Sequence, residues 1–197
     1  MPSSQNSKSR GRKDTVATTE ALPELPALRS LGELADAKPV VVVDTREQLP
    51  LVFTRLQAVR GSLYTGDYSL VGFENSFAIE RKSIQDLVGC CVGENRERFE
   101  RELLRLRGFR FQRLLVVGTR DDVERHGYRS KVTPKAILST LSAFEVRYDV
   151  PVVWCASPEA AAVQVESWIW WYAREAVKVA NGIVSGAKIH QNSHESN

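Results

Sequence analysis

The pattern of the chain predicts a mixed α/β sandwich, a central sheet covered by helices, on three observations. Continuous aliphatic runs at 40–43 and 114–118 have the composition of strands buried on both faces. Apolar residues at helical spacing follow each run: Phe99, Leu103 and Leu106 after the first, Ile137, Leu141 and Phe144 after the second. A length of 197 residues with 43% apolar content suits one domain of ordinary size with a real core.

Taken in order, residues 1–24 are polar, rich in Ser and Thr and without apolar periodicity, and are expected to form a disordered basic tail. The folded domain is expected over 25–184, with a disordered polar tail at 185–197. After the strand at 40–43, two further strand candidates, 62–70 and 77–82, flank Gly72-Phe73-Glu74-Asn75-Ser76, which has turn composition. Helices are expected at 84–92 and at 95–108, the second stopped by Gly108. Beyond the strand at 114–118, Thr133-Pro134 opens a helix with Thr as N-cap and Pro in the first turn. The run at 151–155 is a last strand, and Ser157-Pro158-Glu159 caps a final helix reaching about residue 180. There is no internal repeat.

The net charge of +3 is misleading, because Lys8, Arg10, Arg12 and Lys13 carry +4 of it and the rest of the chain is near neutral. A nucleic-acid role therefore has to rest on local basic patches. Cys90, Cys91 and Cys155 form no paired spacing, so neither a disulfide scaffold nor a structural zinc is indicated. No apolar run approaches 18 residues. The expectation is an intracellular protein without membrane contact, cytoplasmic or nucleoid-associated in a prokaryote or phage.

The chemistry concentrates between Asp44 and Asp86. A hairpin turning near Glu74 would set Asp67 roughly opposite Glu80 or Arg81, and cross-strand Cβ atoms lie about 5 Å apart. Strand alternation puts Glu80 and Lys82 on one face, with Arg81 pointing away. Asp44 ends the neighbouring buried strand, where side chains of α/β sheets meet substrate. Hard oxygen donors of this kind favour Mg²⁺ or Mn²⁺, and a lysine beside them can orient water or neutralise developing charge. A lone Glu-Arg-Lys is a commonplace solvated run, and a lone Gly-Asp-Tyr is ordinary turn chemistry. Their conjunction on adjacent strands, after a third acid at a buried strand end, is what points to phosphodiester hydrolysis.

The segments VDTRE, GDY and ERKSIQD together resemble the nuclease domain of XPF-type structure-specific endonucleases, a branch of the restriction-endonuclease-like superfamily. The family pattern GDx(n)ERKx(3)D is matched by Gly66, Asp67, Glu80, Arg81, Lys82 and Asp86, and upstream by Asp44, Arg46 and Glu47. The similarity extends through Asn95-Arg96-Glu97-Arg98-Phe99 and Pro134-Lys135-Ala136, covering about 39–178. It implies a restriction-endonuclease-like fold and a metal held by Asp67, Glu80 and the backbone carbonyl of Arg81. Asp44 would act at the metal directly or through water, and Lys82 would be the catalytic lysine with Glu80 and Asp67. Arg46, Glu47 and Asp86 would position these groups. Relatives commonly carry helix-hairpin-helix or helicase-like regions, so the resemblance also implies a separate DNA-targeting partner.

Seven arginines between Arg96 and Arg113 face three glutamates in the same stretch, which reads either as phosphate-contacting surface or as a salt-bridged solvated face. Arg96, Arg98, Arg101 and Arg105 are the DNA-binding candidates. In the final helix, Val165, Trp168, Ile169, Tyr172 and Ala176 form a core stripe, and Trp170 and Trp171 widen it enough to suggest a homodimer. The expected activity is metal-dependent cleavage of DNA, with flap or forked structures as candidate substrates, in repair or recombination. The alternative is a catalytically inactive DNA-binding or scaffold subunit partnering another nuclease or helicase. An RNase or restriction-type enzyme on the same fold differs from the first reading only in substrate.

Overall fold

The computed structural model describes residues 38–194, so the basic tail expected at 1–24 lies outside the described residues. A single six-stranded sheet runs through them in the order β2-β1-β3-β4-β5-β6. Its strands are β1 (Val41–Asp44), β2 (Ala58–Gly61), β3 (Tyr68–Leu70), β4 (Phe77–Ser83), β5 (Phe111–Val117) and β6 (Val152–Cys155). The helices are α1 (Ile84–Cys90), α2 (Gly93–Leu106), α3 (Arg120–Glu124), α4 (Pro134–Tyr148) and α5 (Pro158–His194). β3 pairs antiparallel with β1 and β4, while the β1–β2, β4–β5 and β5–β6 pairs are parallel. This is the mixed sheet with flanking helices that the alternation predicts.

Strand alternation sorts the apolar residues into two cores. Ala78, Leu114 and Val116 face α1 to α4, meeting Leu87, Phe99, Leu103, Ile137 and Phe144. Val41, Val43, Tyr68, Phe77, Ile79 and Leu115 face the other way, against Ala162, Val165 and Ile169 of α5. Each buried aliphatic side chain contributes about 1.5–3 kcal/mol, so both faces of β4 are committed to packing. That double burial gives Glu80, Arg81 and Lys82 near its C-terminal end a rigid base.

The loop between β1 and β2 is tied down over a long sequence distance. Glu166 of α5 is buried, and its carboxylate accepts the backbone N–H groups of Thr54, Arg55 and Leu56 at 3.0, 2.7 and 3.1 Å. The Arg55 guanidinium donates to its other oxygen at 2.7 Å. Burial raises the pKa of this carboxyl, but the four donors outweigh it, and the net shift is downward.

Two expectations change in the structure, and the strand β2 is one that the sequence reading does not foresee. The strand expected over 62–70 is confined to Tyr68–Leu70, because Gly66 takes φ +82° and breaks the extended backbone. The edge strand β2 has exposed residues and pairs only with β1, so it lacks the alternation that marks a half-buried strand. The final helix does not stop near residue 180: its backbone stays helical to His194, across the tail expected from 185. No proline interrupts that stretch, and Gly182 and Gly186 each weaken it by only about 1 kcal/mol.

Candidate active site

Three carboxylates lie in one row across three adjacent strands. Val43 pairs with Tyr68, and the next step is the Asp44 N–H donating to the Asp67 carbonyl at 2.9 Å. Tyr68 pairs with Ile79, and the Asp67 N–H donates to the Ile79 carbonyl at 2.8 Å. Because Val43, Tyr68 and Ile79 face α5, their neighbours Asp44, Asp67 and Glu80 face the α1–α2 side together. Gly66 is required just before Asp67: a Cβ there would sit 3.0 Å from the Ile79 carbonyl oxygen, at a φ that favours glycine.

Lys82, two residues beyond Glu80, returns to the same face. Its ammonium donates to the Glu80 carboxylate, lies 3.9 Å from the Glu102 carboxylate of α2, and sits 5.3 Å from the Phe99 ring centroid. Burial pulls the Lys82 pKa down, but Glu80, Glu102 and Asp67 outweigh it and the net shift is upward. Asp67 shows the opposite balance: burial, reinforced by the Glu80 charge, pushes it up to about 7, although the Arg81 N–H donates to it at 2.7 Å. Glu80 also shifts upward, driven by burial against the pull of Lys82.

Asp44 is arranged differently. One oxygen accepts the Arg46 N–H and Nε–H at 2.8 and 2.7 Å; the other accepts the Leu63 N–H at 2.7 Å and Arg46 Nη2 at 3.2 Å. Burial raises its pKa, but these donors prevail and hold the carboxyl below its usual value. Its oxygens are turned to protein donors, which suits it to orienting Arg46. Among the described residues no three His, Cys, Asp or Glu side chains gather as a metal-holding group. The pair that remains, Asp67 and Glu80, is a hard-oxygen donor set in which a half-buried and a buried carboxyl repel one another. A divalent cation between them would relieve that repulsion, so these residues fit the metal that the motif implies.

Arg46, Glu47 and Asp86, the expected positioning residues, lie around the same cleft. Glu47 receives Arg81 in a two-pronged ion pair, both contacts at 3.0 Å, and accepts the Leu49 N–H at 2.8 Å. The Arg81 side chain does turn away from Glu80 and Lys82, as alternation predicts. Asp86 accepts the Ser83 hydroxyl at 2.7 Å, and Ser83 in turn caps α1. Two clefts meet at this row. The larger, about 570 Å³, is lined by Arg46, Glu47, Asp67, Arg81, Lys82 and Asp86, among others. The smaller, about 240 Å³, includes Asp44, Asp67, Glu80, Lys82 and Glu102.

The arginine candidates on α2 divide. Arg98 lines the larger cleft and Arg105 the smaller, one helical face apart from Glu102. Arg96 is turned elsewhere: it pairs with Glu100 at 3.0 Å and stacks on Phe144 at 5.4 Å. Arg101 is exposed on α2 and lines neither cleft. Glu102 and Gln85 are site residues that reading the sequence missed. The spacing of Arg98, Glu102 and Arg105 at i, i+4 and i+7 was the signal that could have found the first.

A model of the ERCC4 domain matches residues 43–167, which contain every one of these side chains. The chain belongs to the ERCC4 domain family. Among solved structures it is similar to XPF from Aeropyrum pernix, with a TM-score of 0.54, 23% identity, and coverage of 66% of this chain and 60% of that one. It is similar too to XPF from Aeropyrum pernix in complex with DNA, with a TM-score of 0.54, 21% identity, and coverage of 71% and 66%. The chain thus spans about 60–66% of the length of these structures. No curated protein matches it. The clustered carboxylates therefore sit on the mixed-sheet fold that this ERCC4 domain shares with those XPF structures.

Proposed function

We propose that this ERCC4 domain is a Mg²⁺- or Mn²⁺-dependent endodeoxyribonuclease. The observation that carries the reading is the convergence of Asp67, Glu80 and Lys82 on one face of neighbouring strands, where Asp67 and Lys82 border both clefts and Glu80 the smaller. Asp67, Glu80 and the Arg81 backbone carbonyl would hold the cation, which supplies Lewis-acid polarisation of a phosphate and a lowered pKa for bound water. Lys82, held charged by Glu80 and Glu102, offsets negative charge developing on the phosphate and fixes Glu80 in orientation. It is not free to act as a base while those carboxylates are ionised. Asp44 holds Arg46, whose side chain is largely exposed and borders both clefts, ready for a phosphate oxygen. Glu47 locks the largely buried Arg81 guanidinium in place, and Arg98 and Arg105 flank the entrance.

DNA as the substrate is supported by these flanking cations and by the likeness to an XPF structure solved with DNA. Flap or forked DNA, a role in repair or recombination, an intracellular location and a separate DNA-targeting partner extend the same reading. A second copy of the chain docked on α5 is supported by Trp170 and Trp171, which remain 43% and 56% exposed. Among the described residues no helix is long and apolar enough to cross a membrane. Sedimentation at micromolar protein should show a dimer; a monomer alone would remove the pairing. Labelled duplex, single-stranded, flap and forked DNA should be cut in Mg²⁺ or Mn²⁺ and left whole in EDTA. Undiminished cutting in EDTA refutes the assignment.

A further inference from the structure

A basic loop at the rim of the larger cleft is unaccounted for by the site described above. From Arg125 to Phe144 the chain has no acidic residue, while Arg125, Arg129, Lys131 and Lys135 fall within its first eleven positions. On the helix before it the cations are neutralised: Arg120 pairs with Glu124 and Arg125 with Asp121, both at 2.8 Å. Among the described residues, Arg129, Lys131 and Lys135 have no carboxylate within ion-pair distance, and all three are exposed.

The loop is built rather than slack. His126 takes φ +57°, stacks on Tyr128 at 4.4 Å, and its Nε2 lies 2.7 Å from the Ser130 carbonyl that accepts from it. The Tyr128 hydroxyl donates to the Val132 carbonyl at 2.7 Å, and the Thr133 hydroxyl accepts the Ala136 N–H to cap α4. The loop is also fastened to the cleft. The Gln85 amide donates to the Arg129 carbonyl at 3.3 Å and accepts the Arg129 N–H at 3.0 Å, while Gln85 itself lines the same cleft as Asp67 and Lys82.

We infer that residues 126–135 are a second DNA-backbone contact, in which Arg129, Lys131 and Lys135 grip phosphates flanking the cut and Gln85 sets their position relative to Lys82. Unpaired cations on a preformed loop, continuous with a cleft built for a phosphodiester, complement a polyanion at low ordering cost. This rests on the nuclease reading and adds a binding element to it.

The test is equilibrium binding of a labelled DNA duplex across a salt series in EDTA, so that cutting does not enter. Arg129→Gln with Lys131→Gln should flatten the slope of log affinity against log salt by about 2, one for each phosphate no longer neutralised. Arg174→Gln with Lys178→Gln, an equal loss of charge on α5, should leave the slope unchanged. Gln85→Ala removes no charge, so it should weaken binding while keeping the slope. An unchanged slope in the loop variant, or an equal fall in the α5 variant, overturns the inference while leaving the nuclease intact. An unsubstituted protein that neither binds nor cuts DNA overturns both.

Discussion

Lys82→Ala and Asp67→Ala should each lower single-turnover DNA cleavage by at least 10²–10³-fold, the loss that follows removal of one preorganised electrostatic group. Their effects on folding should part company, and the structure says why. Lys82 is the ionic partner of Glu80, and their side chains are only 18% and 8% exposed. Removing the ammonium strands a buried carboxyl, so Lys82→Ala should cost about 3 kcal/mol in denaturant unfolding at neutral pH. Asp67→Ala takes away one of two acids that repel each other, so its unfolding midpoint should match or exceed that of the unsubstituted chain. Lys82→Met keeps most of the packing on Phe99 and separates the charge effect from the volume effect. Cutting that survives in Asp67→Ala, or a Lys82→Ala variant as stable as its parent at pH 7, contradicts the arrangement of charges derived above.

How far the site can be read from the chain depends on whether local periodicity controls the residue. Glu80, Arg81 and Lys82 obey the two-residue repeat of a strand, so their facing follows from spacing alone, and the single turn after Leu70 puts Asp67 beside Glu80. Asp44 can be placed at a strand end, but its commitment to Arg46 and the Leu63 N–H depends on a loop that returns 19 residues later. The same holds for Glu166, whose partners are more than 100 residues away, and for the Gln85–Arg129 clasp. The short α3 escapes because five residues carry too little apolar repeat, although the Thr119–Asp122 capping box marks its start. Arg96 is one of four DNA-binding candidates in the sequence, yet ion pairing with Glu100 and stacking on Phe144 draw it to α4. Nothing in the local run of arginines distinguishes that choice from the one made by Arg98.

The second large effect is a stability that depends on pH and Mg²⁺ together. Asp67 has its folded-state pKa raised to about 7 from an ordinary 3.8, by burial and by Glu80. Between those values the folded protein binds more protons than the unfolded chain, so stability falls as pH rises. The contribution is fully present below about pH 4 and lost once pH passes about 7. One pKa unit corresponds to about 1.4 kcal/mol, so the loss is at most about 4 kcal/mol. Asp44, Glu47 and Glu166 have lowered pKa values, and their contributions are lost on the acid side as pH falls through the folded values. The interval from pH 5 to 8 therefore isolates the raised acids. In EDTA the thermal midpoint should fall by several degrees across it. Mg²⁺ competes with the proton for the same oxygens, so millimolar Mg²⁺ should raise the midpoint more at pH 8 than at pH 5.5, and Asp67→Asn should flatten both dependences. A Mg²⁺ shift of equal size at the two pH values, or one that persists in Asp67→Asn, would place the cation elsewhere.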